Sequence, residues 1–229
     1  MLSLETITTK ALFDFDGTLA KDLLETKQYP WEALSCIGEY ISLLGATLPK
    51  KEYTLVNGAD GKKNVWLSKT ARIVQDANLY GPLIVGHHTE IRHNAFIRGN
   101  VIIGENCVIG NSTEIKNAIL LNHVQVPHYN YVGDSILGNY AHLGAGVILS
   151  NLKSTKTKVF IDREIETGLR KVGSFIGDQA EVGCNSVLNP GTIVGRNSII
   201  YPVSCIMGVI PENSIVKTEL NITTRRNVK

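Results

Sequence analysis

From Leu67 onward an aliphatic residue returns at every sixth position: Leu67, Ile73, Leu79, Val85, Ile91, Ile97, Ile103, Ile109 and Ile115, continuing to Leu121 and Pro127. The rhythm resumes at Leu137, Leu143 and Leu149, breaks off, and returns at Ile176, Val182, Leu188, Val194, Ile200 and Ile206. Four residues after many of these stands a small or apolar residue, as at Ala71, Ala77, Ala95 and Cys107. An amphipathic helix repeats about every 3.6 residues and a half-buried strand about every 2. A period of six asks for something else. It predicts short strands separated by tight turns, each sending one apolar residue inward, wound into an all-β solenoid.

The pattern resembles hexapeptide-repeat proteins, whose left-handed parallel β-helix uses three such strands per coil of 18 residues. The resemblance implies that residues 18 apart stack at the ordinary strand spacing of about 4.8 Å. Handedness rests on the resemblance alone, because parallel crossovers are otherwise right-handed.

Two segments stand outside the rhythm. In residues 1–64, Pro30 is placed to start a helix, with Trp31, Leu34, Ile37, Ile41 and Leu44 at helical spacing and Gly45 to close it. This predicts an amphipathic helix covering the solenoid's open end, since a solenoid needs a terminal cap. Residues 151–174 interrupt the repeat with Lys153, Lys156, Lys158, Arg163, Arg170 and Lys171. Long ordered loops in compact domains usually carry function. The domain reading is a helical cap over 1–64, a β-helix over 65–216 with the basic loop 151–174 inserted, and a tail over 217–229.

Composition narrows the function. The 229 residues are 43% hydrophobic, and 23 Lys+Arg against 21 Asp+Glu leave a net charge of +2 without a cluster of four basic residues. Nucleic acid and charged membrane surfaces are not expected partners. The first residues lack a basic stretch followed by an apolar core, and no run of 18 apolar residues occurs, so a cytoplasmic location is expected. Cys36, Cys107, Cys184 and Cys205 form no CxxC pair, which argues against a disulfide framework.

Several motifs carry possible chemistry. Leu12-Phe-Asp-Phe-Asp-Gly-Thr-Leu19 resembles the first motif of haloacid-dehalogenase phosphatases, but those enzymes need a doubly wound sheet, so Asp14 and Asp16 are expected to form a turn or helix cap. His87, His123 and His128 lie 36 and 5 residues apart. In an 18-residue coil the first two fall on one line, a spacing that resembles the zinc ligands of γ-class carbonic anhydrases. No carboxylate set is evidently arranged to orient these rings. Arg98 and Lys116 are 18 apart and would stack like charges, which is destabilising. Either Glu114 or Asp134 neutralises them or an anion does; a phosphate would gain charge-assisted bonds from both, and that is the favoured reading.

After these come His128-Tyr-Asn-Tyr131-Val-Gly133-Asp134, then Leu143-Gly-Ala-Gly146 and Ser150-Asn151. Together with Arg98 and Lys116, this series resembles the acetyltransferase half of the bifunctional enzymes that make UDP-N-acetylglucosamine from glucosamine 1-phosphate. The loop containing Ile165-Glu-Thr-Gly168-Leu-Arg-Lys171 is similar to archaeal sugar-1-phosphate nucleotidylyltransferases with a C-terminal amino-sugar acetyltransferase. The resemblance implies His128 as general base, Arg98 and Lys116 as phosphate contacts, and Tyr131, His142, Asn151 and Lys156 at the sugar. His142 replaces the family's Asn. Ala145 and Cys184 match positions that touch acetyl-CoA, the implied co-substrate; no metal is called for, and a homotrimer is implied. The nucleotidyltransferase domain is absent from this sequence. Alternatives are the zinc hydratase, a non-catalytic solenoid that binds sugar phosphates, and transfer of a longer acyl chain.

Overall fold

The computed structural model describes residues 4–218, so the tail expected from 217 lies beyond 218 outside the described residues. The chain is a parallel β-solenoid of stacked three-sided coils with few helices. Its middle face is an eight-stranded sheet, with Ile73, Ile91, Ile109, Val126, Leu143, Val182, Ile200 and Val216 in one inward column. The other two faces share one sheet, because Glu114–Leu120 and Tyr131–Leu137 cross a corner without a break. Inward residues of all three faces form one core. Many corners are turned by asparagine in the left-handed region, among them Asn94, Asn100, Asn106, Asn185, Asn197 and Asn213 at φ between 52° and 58°. The short Asn side chain tolerates this backbone by local hydrogen bonding.

Before the insertion the six-residue rhythm slips twice. After Arg98 two residues turn the corner, Gly99 and Asn100; after Lys116 and Gly133 a single residue does so, Asn117 at φ 47° and Asp134 at φ 50°. Ile109 therefore pairs with Val126, and Ile103 with Leu120, a coil of 17 residues. The inward positions are Leu120 and Val126, not the expected Leu121 and Pro127. Extending the register from Val85 through Ile103 and Leu120 puts His87 in line with Asn122, one residue short of His123.

The N-terminal segment does not cap the open end, as the sequence suggested. It is a strap along one side. On the face it covers, successive coils bury three residues in a row: Leu83–Val85, Val101–Ile103, Ala118 to Leu120, Ser135 to Leu137, Ser174–Ile176 and Thr192–Val194. The flanking residues point into the solenoid, and the middle ones, Ile84, Ile102, Ile119, Ile136, Phe175 and Ile193, point out. An apolar outward row needs cover. Ile7, Leu12, Phe13, Leu24, Trp31, Ile37 and Ile41 supply it. The helix expected as one piece is a 3₁₀ turn, Pro30–Ala33, followed by Ile37–Thr47. Gly45 does not end that helix; it lies on the Trp66 ring, where a Cβ would overlap indole atoms.

The strap climbs the coils from last to first. Lys10 O accepts from Arg196 Nη2 (3.2 Å), Leu12 O from Asp178 N (3.1 Å), Asp14 O from Asn139 Nδ2, and Gly17 O from Asn122 Nδ2 (3.5 Å). The same corner residues bond one another: Asn122 Oδ1 accepts from Glu105 N (2.9 Å), Asn139 Oδ1 from Asn122 N (3.0 Å), and Asp178 Oδ1 from Asn139 N (2.7 Å). The Asp14 motif is a turn docked on this ladder, with Asp14 Oδ1 accepting from Asp16 N at 3.2 Å and Gly17 at φ 71°. Burial pushes the Asp178 carboxyl above its ordinary value, against the donors and Arg196 that hold it. The chain then enters the solenoid through Tyr53–Asn57, antiparallel to Lys63–Ser68.

The basic insertion leaves after Ile148–Leu149 and returns at Ser174–Ile176. It is packed rather than merely solvated, because Val159, Ile161 and Val172 are buried with Phe175 and Ile193. Among the described residues no helix is long and apolar enough to cross a membrane.

Candidate active site

Arg98 and Lys116 stack as expected on the third, open face, where Phe96 pairs with Glu114 and Ile97 with Ile115. Each has an acid beside it. Arg98 Nη1 donates to Glu114 Oε1 at 2.7 Å, and this bond raises the guanidinium's already high pKa. Lys116 Nζ lies 3.8 Å from Asp134 Oδ2. Glu114 and Asp134, the two acids the sequence offered as the alternative to an anion, are thus both in place.

Asp134 is the hub of this cluster. Only 6% exposed, it accepts from Asn117 Nδ2 at 2.8 Å and from Asn151 Nδ2 at 2.5 Å. The Asn151 amide also donates to the Tyr131 hydroxyl at 3.2 Å. Burial, and then Glu114, push the Tyr131 phenol above its ordinary value. Four residues singled out from the sequence therefore fall in two bonded sets on one face: Arg98 with Glu114, and Lys116, Tyr131 and Asn151 around Asp134. Asn117 was missed; its signal is the one-residue corner that shortens its coil.

A second group stands at the corner where the middle face meets the open face. The register of the middle face stacks His128, Ala145 and Cys184 on three successive coils. His128 O accepts from Gly146 N (3.0 Å) and Ala145 O from Asn185 N (2.8 Å). Beneath them Asn130, 2% exposed, accepts from His128 N (3.1 Å) and donates to Gly144 O (2.7 Å), tying two coils together. Sequence reasoning passed over Asn130. The His128 ring itself is exposed and has no hydrogen-bond partner among the described residues. Gly144 must be small, since a Cβ there would sit 2.7 Å from Cys184 N and 2.9 Å from its Sγ. Gly144 and Gly146 spend their N–H groups on Val182 O and His128 O, which leaves the Ala145 N–H without an acceptor among the described residues.

Two expected sugar contacts lie elsewhere. His142 is on the middle face between Gln125 and Glu181, lining a groove of about 280 Å³ with Gly144, Cys184, Tyr201 and Pro202. Lys156 is exposed in a turn of the insertion and is not bonded to the Asp134 cluster. The three histidines of the zinc alternative do not come together either. His87 Nδ1 faces Ser68 Oγ at 2.7 Å, while His123 stacks on Tyr140 with ring centroids 4.4 Å apart.

A profile of the family described as the GMPPB C-terminal domain matches residues 79–172. The bifunctional protein GlmU of Methanococcus maripaludis is 37% identical over 118 residues, 50% of this chain and 29% of that protein. Over about half its length, the chain is homologous to GlmU proteins. The bifunctional sugar-1-phosphate nucleotidylyltransferase/acetyltransferase of Sulfurisphaera tokodaii is 34% identical over 92 residues, 39% of this chain and 23% of that one. This chain thus spans less than a third of either GlmU relative or sugar-1-phosphate enzyme. Among solved structures, the acetyltransferase domain of PglB from Neisseria gonorrhoeae, in complex with acetyl coenzyme A, aligns with TM-score 0.35 at 16% identity over 66% of this chain and 53% of that one. A mutant of AntD, an N-acyltransferase from Bacillus cereus, aligns with TM-score 0.37 at 16% identity over 72% and 83%.

Proposed function

We propose that the protein transfers an acetyl group from acetyl-CoA to the amine of an amino-sugar phosphate, with glucosamine 1-phosphate the acceptor. The observation that carries this reading is the juxtaposition, across one corner, of the His128, Ala145 and Cys184 column with the Arg98, Lys116, Tyr131 and Asn151 cluster, all but Cys184 within residues 79–172 of the matched profile. An ammonium cannot attack a thioester. A neutral imidazole suits removal of the amine's proton, and His128 is exposed at the corner to do so. As nitrogen adds to the thioester carbon, charge builds on its oxygen; the unspent Ala145 N–H is the donor for that charge. The C–S bond then breaks, the sulfur takes up the proton that the imidazole removed from nitrogen and leaves as the thiol, and the amide remains. Arg98 and Lys116 hold the remote phosphate, so that its binding energy orients the amine. Tyr131 and Asn151 face the sugar. Cys184 and His142 line the donor side. We place the working protein as a homotrimer and no metal in the reaction.

The test is thiol release from acetyl-CoA with glucosamine 1-phosphate, in the wild type and His128→Ala. Release that falls roughly 100-fold in the variant is expected. Release that is unchanged removes His128 from the role of base. No release by either protein, with sugar phosphate still bound, leaves a binding-only solenoid.

A further inference from the structure

A phosphate monoester, such as the proposed acceptor carries, is close to a dianion at neutral pH, its second pKa being about 6. The open-face cluster, however, is already balanced: Arg98 and Lys116 against Glu114 and Asp134. A dianion laid across the two cations with both acids in place meets two carboxylates at close range. One of them must give way.

The two acids are built differently. Asp134 is nearly sealed, sits at φ 50° on a one-residue corner, and is held by amides from the coil above and the coil below. Moving it would strand both amides and break the corner. Glu114 is on a flat strand, with its side chain about a third exposed and held in the cluster by its bond to Arg98. Such a pair near the surface is worth little and opens readily.

We infer that Glu114 is a stand-in for the ligand's phosphate, displaced when a phosphate monoester binds, whereas Asp134 stays and positions Lys116 and Asn151; both roles rest on the proposed function, in which the acceptor is phosphorylated. In the empty site Glu114 keeps the Arg98 guanidinium aimed over the face, so the cation does not have to be ordered anew by the ligand. The rows carrying Arg98 and Lys116 are one strand spacing apart, about 4.8 Å, and phosphate oxygens can accept from both at once. A carboxylate with one negative charge serves one cation; a dianion serves two. The exchange therefore favours a monoester over an uncharged sugar, and over a diphosphate-linked sugar in which the phosphate next to the sugar carries a single charge.

Calorimetric titration of the full chain tests this without any turnover. The probes are glucosamine 1-phosphate and glucosamine, at pH 7.5 and fixed ionic strength, against wild type, Glu114→Gln and Asp134→Asn. Glu114→Gln is expected to bind glucosamine 1-phosphate about two- to fivefold more tightly, the worth of one surface ion pair no longer in competition, with no change for glucosamine. Asp134→Asn keeps the size and the left-handed tolerance of the corner and is expected to weaken the phosphorylated probe by about tenfold, as Lys116 and Asn151 lose their common anchor. Glu114→Gln that binds as wild type or more weakly overturns the stand-in role. Asp134→Asn that binds as wild type overturns the positioning role. Wild type that binds no glucosamine 1-phosphate overturns the phosphate reading itself, an outcome distinct from the other two. Because Glu114 is partly exposed and its replacement is isosteric, folding is not at issue in the deciding variant.

Discussion

The covered face and the open face are made from the same stack of short parallel strands, yet they do opposite things. Their inward rows are interchangeable aliphatics in one core. Their outward rows are not. The covered face turns out Ile84, Ile102, Ile119, Ile136, Phe175 and Ile193 under the strap. The open face turns out Arg98, Glu114, Lys116 and Tyr131, and below them Ile148, Val187 and Cys205, exposed. In a solenoid the inward residue states only that a coil exists. The outward residue decides whether that side is scaffold or chemistry.

That contrast can be broken by measurement. Trp31, buried in the strap against Tyr29 and Phe175, should cost about 3–5 kcal/mol of stability as Trp31→Ala, read by chemical denaturation; a loss under about 1 kcal/mol would mean the strap is not part of the folding unit. Asn139 both accepts from the ladder and donates to Asp14 O, so Asn139→Ala should cost about 1–3 kcal/mol and speed hydrogen exchange around Asp14. Asp178 supplies a pH signature. Its folded pKa is raised by burial above the ordinary 3.8, so its contribution is fullest below that value and is lost as pH rises through the folded pKa. Wild type should therefore lose stability relative to Asp178→Asn over that interval; a difference that is flat with pH contradicts the assignment. On the open face, Arg98→Ala should move stability by no more than about 0.5 kcal/mol. It should weaken phosphorylated but not unphosphorylated sugar, and equal loss of both would remove Arg98 from the phosphate.

Much of the solenoid was legible because its core repeats in sequence. The slip to 17-residue coils was not, since Leu120 and Leu121 are both aliphatic and either satisfies the period. Only the corner conformation of Asn117 tells them apart, and it undid the alignment of His87 with His123. The strap was read as a cap because its amphipathic pattern shows that it covers something, not what. The answer lay in triplets such as Ser174-Phe175-Ile176, whose middle residue is apolar without belonging to the period. For the site, Arg98 and Lys116 were legible as a stacked pair because their coil has 18 residues. Asp134 was legible only as a neighbouring acid, because its bonds to Asn117 and Asn151 follow the 17-residue coil and not the expected 18, and Asn130 ties two coils through a side-chain bond to Gly144 that the period does not display.

The direction of the strap has a consequence for how the chain is made. Lys10 meets Arg196 across 186 residues, and Asp14 meets Asp178 across 164. At about 5–20 residues per second, a ribosome finishes the far partner roughly 10–40 s after the near one. Through that interval Leu12, Phe13 and Trp31 have left the ribosome with no face to lie on, while the coils nearest them in sequence are already able to stack. The solenoid can grow by local steps, but the strap closes last, and until then the nascent protein carries a long apolar stripe and the segment meant for it side by side, open to chaperones and to other copies of itself.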